Sequence, residues 1–276
     1  MLLELSQGQV DSFGKHGYVL LENFFTASEL SSLEEAVRHA IRAFLAKAEL
    51  QSPGINASIG EGEEFDAGIA ALESVDHSFV AQIYDTLSAM PALQRLLLRP
   101  ELEHAANRLL GRAVDAPCYT FTGRLRIDPP EDDRRTYGWH QEVYYTIPES
   151  NFVQVWAPMI RGTTIENGTI EICEGSHAEG IARSSWIEEP GRALQVVVDD
   201  AVIAKYPKRH VEMRLGDVLM FSGRMFHRSG HNSSEQVRYS LIGMFHDIDV
   251  IEFRPAAMSF SYPGLTPRAY FDRTQG

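Results

Sequence analysis

The spacing of apolar positions along the chain changes once, near residue 116. Before that point apolar residues recur every three to four positions. In "TASELSSLEEAVRHAIRAFLAKAEL" (26–50), Leu30, Leu33, Val37, Ile41, Phe44 and Leu45 form one stripe. Thr26 and Glu29 have the spacing of a capping box, in which each side chain satisfies the other residue's backbone N–H. A long helix is predicted there. A shorter helix is predicted over "SQGQVDSFGKH", closed by a turn at Gly17 and followed by a strand through Val19 and Leu21. Two more helices are expected around 78–89 and 100–110, the second stopped by Gly111. Residues 51–70 ("QSPGINASIGEGEEFDAGIA") are rich in Gly, Ser and acids without a period. They are expected to form a loop, either an ordinary surface loop or one lying over a site.

Beyond residue 116 the segments become short, β-rich and separated by Gly, Pro, Asn and Asp. "CYTFTGRLRI", "HQEVYYTI", "NFVQVWAPM", "TIEICE", "LQVVVD", "HVEMRL", "DVLMFS" and "QVRYSLIGMF" each read as a strand. Strands in such close succession predict a sandwich, jelly roll or barrel. No alternation of strand and helix appears, which argues against a Rossmann-type sheet. Helices first and strands after give an α+β chain, mainly β, with the N-terminal helices packed on one side of the β core. One domain is expected over 1–276: a mainly helical part (1–115), the β core (116–250) and a C-terminal extension (251–276).

Composition narrows the partners. With 38 acidic and 25 basic residues the formal charge is −13. That argues against a nucleic-acid binder, which needs a basic surface to neutralise phosphates, yet it permits a local basic pocket for a small substrate. Cys118 and Cys173 are too few for a disulfide framework. No stretch approaches the roughly 18 apolar residues of a membrane span, and "MLLELSQGQVDSF" lacks the basic start and apolar run of a secretory signal. The expectation is a cytoplasmic protein with a small-molecule substrate and no membrane or nucleic-acid partner. The oligomeric state stays open.

Candidate chemistry centres on "GWHQEVYYT" (138–146). On a strand, His140 and Glu142 share a face, as a surface pair, a buried acid–base pair or two-thirds of a metal site. With His227 they would supply two imidazoles and one carboxylate, the facial set of non-haem Fe(II) oxygenases. Arg238 lies eleven residues beyond His227, and Ser240 two further on. If His227 ends one strand and "QVRYSLIGMF" forms the next, Arg238 and Ser240 share a face. A guanidinium there suits two parallel hydrogen bonds to a carboxylate; a surface arginine on an edge strand is the alternative. Among the ten histidines, His16, His39, His77 and His104 fall in helices or turns, and His210 reads as a solvated strand start.

The motifs "WHQE", "ENGTIEICEGSH", "GDVLMFSGRMFHRSGHNSS" and "VRYSL", with the opening "FGKHGYVLLENFFTASEL", resemble the phytanoyl-CoA dioxygenase family of Fe(II)/2-oxoglutarate oxygenases. The resemblance runs from about residue 9 to 247 in the family's order. It implies a double-stranded β-helix (jelly roll) carrying Fe(II) at one mouth, with 2-oxoglutarate as cosubstrate and O2 as oxidant. It makes His140, Glu142 and His227 the iron ligands and Arg238 the partner of the distal carboxylate of 2-oxoglutarate. Ser229, Ser240 and Trp156 match positions that line the cosubstrate. His177 is read as structural. The family's usual carboxylate ligand is aspartate, so Glu142 is a departure. Halogenating relatives replace the carboxylate with a small residue, so Glu142 argues for hydroxylation or a related oxidation, with release of succinate and CO2.

Tyr144, Gln154, Arg124 and Arg126 are further candidates for substrate contact. Core packing is the alternative for Tyr144 and Gln154, and pairing with Asp128 or Glu131 for the two arginines. Two rival functions share the fold. A metal-dependent, cupin-like isomerase or hydrolase would not need Arg238, and a non-catalytic binding protein would not need the three ligands.

Overall fold

A computed structural model of the chain describes residues 5–50, 62–120, 123–147, 150–251, 253 and 267–275. The N-terminal part comprises α1 (Gln7–His16), β1 (Tyr18–Leu21), α2 (Ala27–Lys47), α3 (Glu63–Val75), α4 (His77–Ala89), α5 (Pro91–Leu97) and α6 (Pro100–Leu109). Next come β2 (Tyr119–Thr120), β3 (Arg124–Asp128), β4 (Phe152–Met159), β5 (Ile170–Cys173), β6 (Ser184–Ile187) and β7 (Gln195–Val198). The rest is α7 (Asp200–Ile203), β8 (Lys208–His210), β9 (Val218–Ser222), β10 (His227–Ser229), β11 (Arg238–His246) and α8 (Pro267–Gln275).

The larger antiparallel sheet has the order β1-β9-β4-β11, with β2 and β3 both pairing with the far edge of β11. Its residues alternate between two environments, as the period of two requires. Val153, Val155, Ala157 and Met159 of β4, Tyr239 and Leu241 of β11, and Leu125 and Ile127 of β3 share one apolar core with helices α2 to α6. The intervening residues face inward. There Trp156, Leu219 and Phe221 meet Ile170 and Ile172 of a second sheet, ordered β10-β5-β8. The two sheets facing one another make the jelly roll. Every polar group with candidate chemistry on β3, β4 and β11 (Arg124, Arg126, Gln154, Arg238, Ser240) falls on the inward set.

Local signals act as their chemistry dictates. Thr26 and Glu29 form the capping box at the start of α2, and Gly17 closes α1 in the left-handed conformation, φ 84°. Other expectations need correction. Helix α3 begins at Glu63, inside the segment read as a loop, and residues 51–61 lie outside the described part. Gly68 of α3 sits where any side chain would collide with Ile41 of α2, so this glycine marks close helix packing rather than a loop. "HVEMRL" supplies only the end of β8 and an isolated bridge from Met213 to Thr163. Helices α5 and α8 and strand β6 were not expected. Helix α8 packs Tyr270 and Phe271 on Tyr144, away from the N-terminal helices. Among the described residues no helix is long and apolar enough to cross a membrane.

Candidate metal centre

"HQEVYYTI" is not a strand. His140 makes one antiparallel bridge with His227, each backbone N–H donating to the other's carbonyl (3.0 and 3.1 Å). The chain then winds into a 3-10 turn over Glu142–Tyr144. His227 opens β10 rather than ending a strand, and β10 pairs with β5. The bridge sets the two imidazoles side by side, centroids 4.2 Å apart. The turn swings Glu142 back onto them, with Oε2 3.4 Å from His227 Nε2 and 3.7 Å from His140 Nε2. The ligand-type atoms of all three residues lie within 4.8 Å of one another.

Hydrogen bonding fixes what those atoms offer. His140 Nδ1 donates to the Gly138 carbonyl (2.7 Å) and His227 Nδ1 to the Met225 carbonyl (3.0 Å). Each ring therefore turns its Nε2 lone pair toward Glu142. Burial, followed by the neighbouring His227, pulls the His140 pKa below its ordinary value and keeps the ring neutral. Burial alone would raise the Glu142 carboxyl; N–H donors and positive charge on the imidazoles, when those rings carry a proton, hold it well below the carboxylate range. With a metal cation in the place of that proton, two nitrogen lone pairs and an anionic oxygen converge on one point. That donor set fits a divalent metal, iron included.

Gln141, between the two ligands, is fully buried. Its amide nitrogen donates to the carbonyls of Gly180 and Arg224 (2.7 Å each), and its oxygen accepts from Ala182 N–H (3.0 Å). It thereby ties the His140–Glu142 turn to the loop leading into His227. Gln141→Leu strands these buried polar groups. The expected cost is about 3 kcal/mol of stability and roughly ten- to a hundredfold in metal affinity, checked by melting of the metal-free protein and by metal titration.

The three residues open onto a cavity of about 480 Å³, also lined by Gln154, Trp156, Ser229, Arg124 and Arg126. Gln154 Nε2 reaches Glu142 Oε2 at 3.4 Å. Arg238 and Ser240 are not in that lining; they sit on the same inward face of β11, before Ile242, which is. Across the β3–β11 ladder Asp128 stands opposite Arg238, and Arg126 opposite Ser240. Asp128 holds both cations, Arg126 at 2.6 Å and Arg238 at 3.0 Å. Burial would raise the Asp128 carboxyl, but the two guanidiniums keep it below its usual value. Arg238 Nη1 also donates to the carbonyls of Asn167, Gly168 and Gly230. Among the described residues its Nε and the Ser240 hydroxyl are buried without a partner. Two orphaned donors beside a fixed guanidinium suit an incoming carboxylate.

Tyr144 is corrected from substrate contact to packing. It is 1% exposed, sits against Tyr270 and Phe271, and its hydroxyl meets Thr274 and Gln275 of α8. The 3-10 turn presents Tyr145 to the cavity instead, and Tyr137 joins it; both rings pack on His140, 5.3 and 5.4 Å away. Tyr84 and Asp85 of α4 complete the missed set. Only the turn geometry and the packing of α4 on β3 reveal these four.

His246, at the end of β11, is fully buried, bonds Ser150 Oγ at 2.7 Å and, among the described residues, leaves Nε2 without a partner. Burial pushes its pKa down to about 4. The unfolded chain therefore takes up this proton first as pH falls below about 6.5. Stability is complete above that pH and is lost on acidification toward 4, by about 3 kcal/mol. Melting of the metal-free protein at pH 7 and 4.5 should show this loss, and His246→Phe should shrink it.

A model of the phytanoyl-CoA dioxygenase family matches residues 13–240. The ectoine dioxygenase of Bordetella parapertussis is 26% identical over 190 residues, covering 64% of this chain and 51% of that protein. The chain thus spans about half the length of that relative. The apoform crystal structure of EctD from S. alaskensis superposes with a TM-score of 0.60 at 19% identity, covering 89% of this chain and 78% of that one. The epimerase SnoN, in complex with Fe3+, alpha ketoglutarate and nogalamycin RO, superposes with a TM-score of 0.57 at 18% identity, covering 87% and 83%. These structural likenesses carry the fold.

Proposed function

The chain belongs to the phytanoyl-CoA dioxygenase family, and from that premise we propose that it is an Fe(II)- and 2-oxoglutarate-dependent dioxygenase. It oxidises a small molecule, most simply by hydroxylation, with release of succinate and CO2, and the whole chain acts as one oxygenase domain. The observation that carries this reading is the convergence of His140, Glu142 and His227 on one cavity. The ectoine dioxygenase relative supports a small-molecule substrate. Free thiols at Cys118 and Cys173 support a cytoplasmic setting.

His140, Glu142 and His227 would hold the iron, and Gln154 would steady the Glu142 carboxylate through its 3.4 Å contact. Iron with 2-oxoglutarate and O2 supplies the oxidising chemistry when bound. Arg238 and Ser240 would take the distal carboxylate of the cosubstrate with Nε and Oγ, the donors left unpaired in the fold. Asp128 holds the Arg238 guanidinium in place before the cosubstrate arrives, which lowers the ordering cost of binding. Trp156, Ile170 and Met244 line the cavity with apolar surface and exclude water from the reacting centre. Ser229 and Arg126, bonded to each other at 3.2 Å, border the cosubstrate. Gln154, Arg124 and Arg126 face the substrate.

Purified protein mixed with Fe(II) and 2-oxoglutarate tests the proposal through O2 uptake and succinate, with Glu142→Ala and Arg238→Ala as controls. Slow uncoupled turnover is expected without substrate, none in Glu142→Ala, and in Arg238→Ala turnover only at much higher 2-oxoglutarate. No 2-oxoglutarate binding and no turnover of any kind would sink the oxygenase reading. Activity retained in Glu142→Ala would remove only the ligand assignment.

A further inference from the structure

The cavity over the three ligands carries four charged side chains among the described residues: Asp85, Arg124, Arg126 and Glu142. Two are committed. Glu142 faces the imidazoles, and Arg126 is bound to Asp128 and Ser229. Asp85 and Arg124 are the other two, and among the described residues neither side chain has a hydrogen-bond or ion-pair partner. They are both solvent-exposed, of opposite sign, and do not pair with each other although α4 and β3 pack together.

Their placement separates them from the cosubstrate end. Along β3 the inward residues are Asp128, Arg126 and Arg124, standing opposite Arg238, Ser240 and Ile242 of β11. Asp128 and Arg126 belong to the buried network around Arg238. Arg124 lies one inward step beyond Arg126, and one step on a strand is about 6.6 Å. Asp85 follows Tyr84 on α4; Tyr84, Tyr137 and Tyr145 line the same cavity, and the Tyr137 ring already carries the Arg126 guanidinium at 5.7 Å. An exposed carboxylate attracts an ammonium group, while a guanidinium attracts a carboxylate.

We propose that the substrate is a small zwitterion, its cationic nitrogen received by Asp85 and its carboxylate by Arg124. The cavity of about 480 Å³ has room for a molecule of amino-acid size. The two opposite charges line the same cavity as His140, Glu142 and His227 and would hold the molecule by both ends beside that ligand set. This inference rests on the oxygenase reading for its chemistry but not for its binding measurement.

The test measures binding to full-length protein loaded with Mn(II) and 2-oxoglutarate, in which turnover is blocked. The probes are the small natural amino acids and N-methylated amino acids, each alongside its N-acetyl and methyl-ester derivatives. At least one zwitterion should bind, and capping either end should weaken it tenfold or more. Asp85→Asn should erase the penalty for N-acetylation while keeping the penalty for the ester. Arg124→Gln should do the reverse, a reciprocal pattern that general loss of structure does not produce. Free and capped forms binding alike, a panel without a zwitterionic binder, or discrimination unchanged in both variants would overturn the proposal. Zwitterion binding that persists while 2-oxoglutarate fails to bind would leave this inference standing and remove the oxygenase reading.

Discussion

Glu142→Ala is expected to weaken metal binding by at least about a hundredfold and to bring succinate formation to background. Loss of a residue that merely orients a metal ligand typically costs ten- to a hundredfold in affinity, and Glu142 supplies a ligand atom itself. Its Oε2 is the anionic atom facing both imidazole Nε2 atoms, at 3.4 and 3.7 Å, and among the described residues no other carboxylate joins the three-residue cluster. Glu142→Asp retains the charge but draws it back by one methylene, about 1.5 Å. The 3-10 turn at Glu142–Tyr144 is braced by Gln141 and by Tyr144 on α8, so the backbone does not follow. Glu142→Asp should therefore bind metal more weakly than wild type and more tightly than Glu142→Ala. Metal titration of the three proteins checks the order. Equal affinities would show that the carboxylate is not a ligand.

Arg238→Ala should raise the KM for 2-oxoglutarate by roughly thirtyfold to several thousandfold, the range of about 2–5 kcal/mol for truncating one member of a buried charge pair. Two effects combine. The cosubstrate loses the unpaired Nε, and Asp128 loses its 3.0 Å partner and keeps only Arg126. The carbonyls of Asn167, Gly168 and Gly230 lose a donor as well. The melting temperature should fall with the affinity. Arg238→Lys should not rescue binding, because an ammonium cannot meet Asp128, three carbonyls and an incoming carboxylate from one planar group. Steady-state KM values with parallel melting curves measure both effects. A KM for 2-oxoglutarate that stays within threefold of wild type would show that the carboxylate binds elsewhere.

The sequence makes a β-rich core and the N-terminal helices legible because their signals are local, while the choice of a jelly roll over a sandwich or barrel comes from the family resemblance. The apolar stripe and capping box of α2, the left-handed Gly17 and the alternation along β4 and β11 each depend on neighbours a few residues away. Helix α5 has only seven residues, too few to show a period, and a glycine-rich run hides the start of α3. The centre is legible in part. The two-residue spacing of His140 and Glu142 predicts a shared strand face, but a single bridge followed by a 3-10 turn joins them. A spacing of two residues brings side chains together in either geometry, so the pair survives the error while Tyr144 does not. Arg238 and Ser240 share an inward face as the period of two requires. The Asp128 contact to Arg238 depends on β3–β11 register, which one strand's sequence does not carry. Asp85 is hidden for the same reason, since it reaches the cavity only through the packing of α4 on β3.

Anaerobic equilibrium binding of 2-oxoglutarate tests the central claim most directly, because it needs neither the substrate nor turnover. One 2-oxoglutarate should bind per chain when Fe(II) is present. Binding should fall sharply when the metal is withheld, in Glu142→Ala, and in Arg238→Ala. Failure to bind 2-oxoglutarate, or binding that is indifferent to the metal and to both substitutions, would contradict the account.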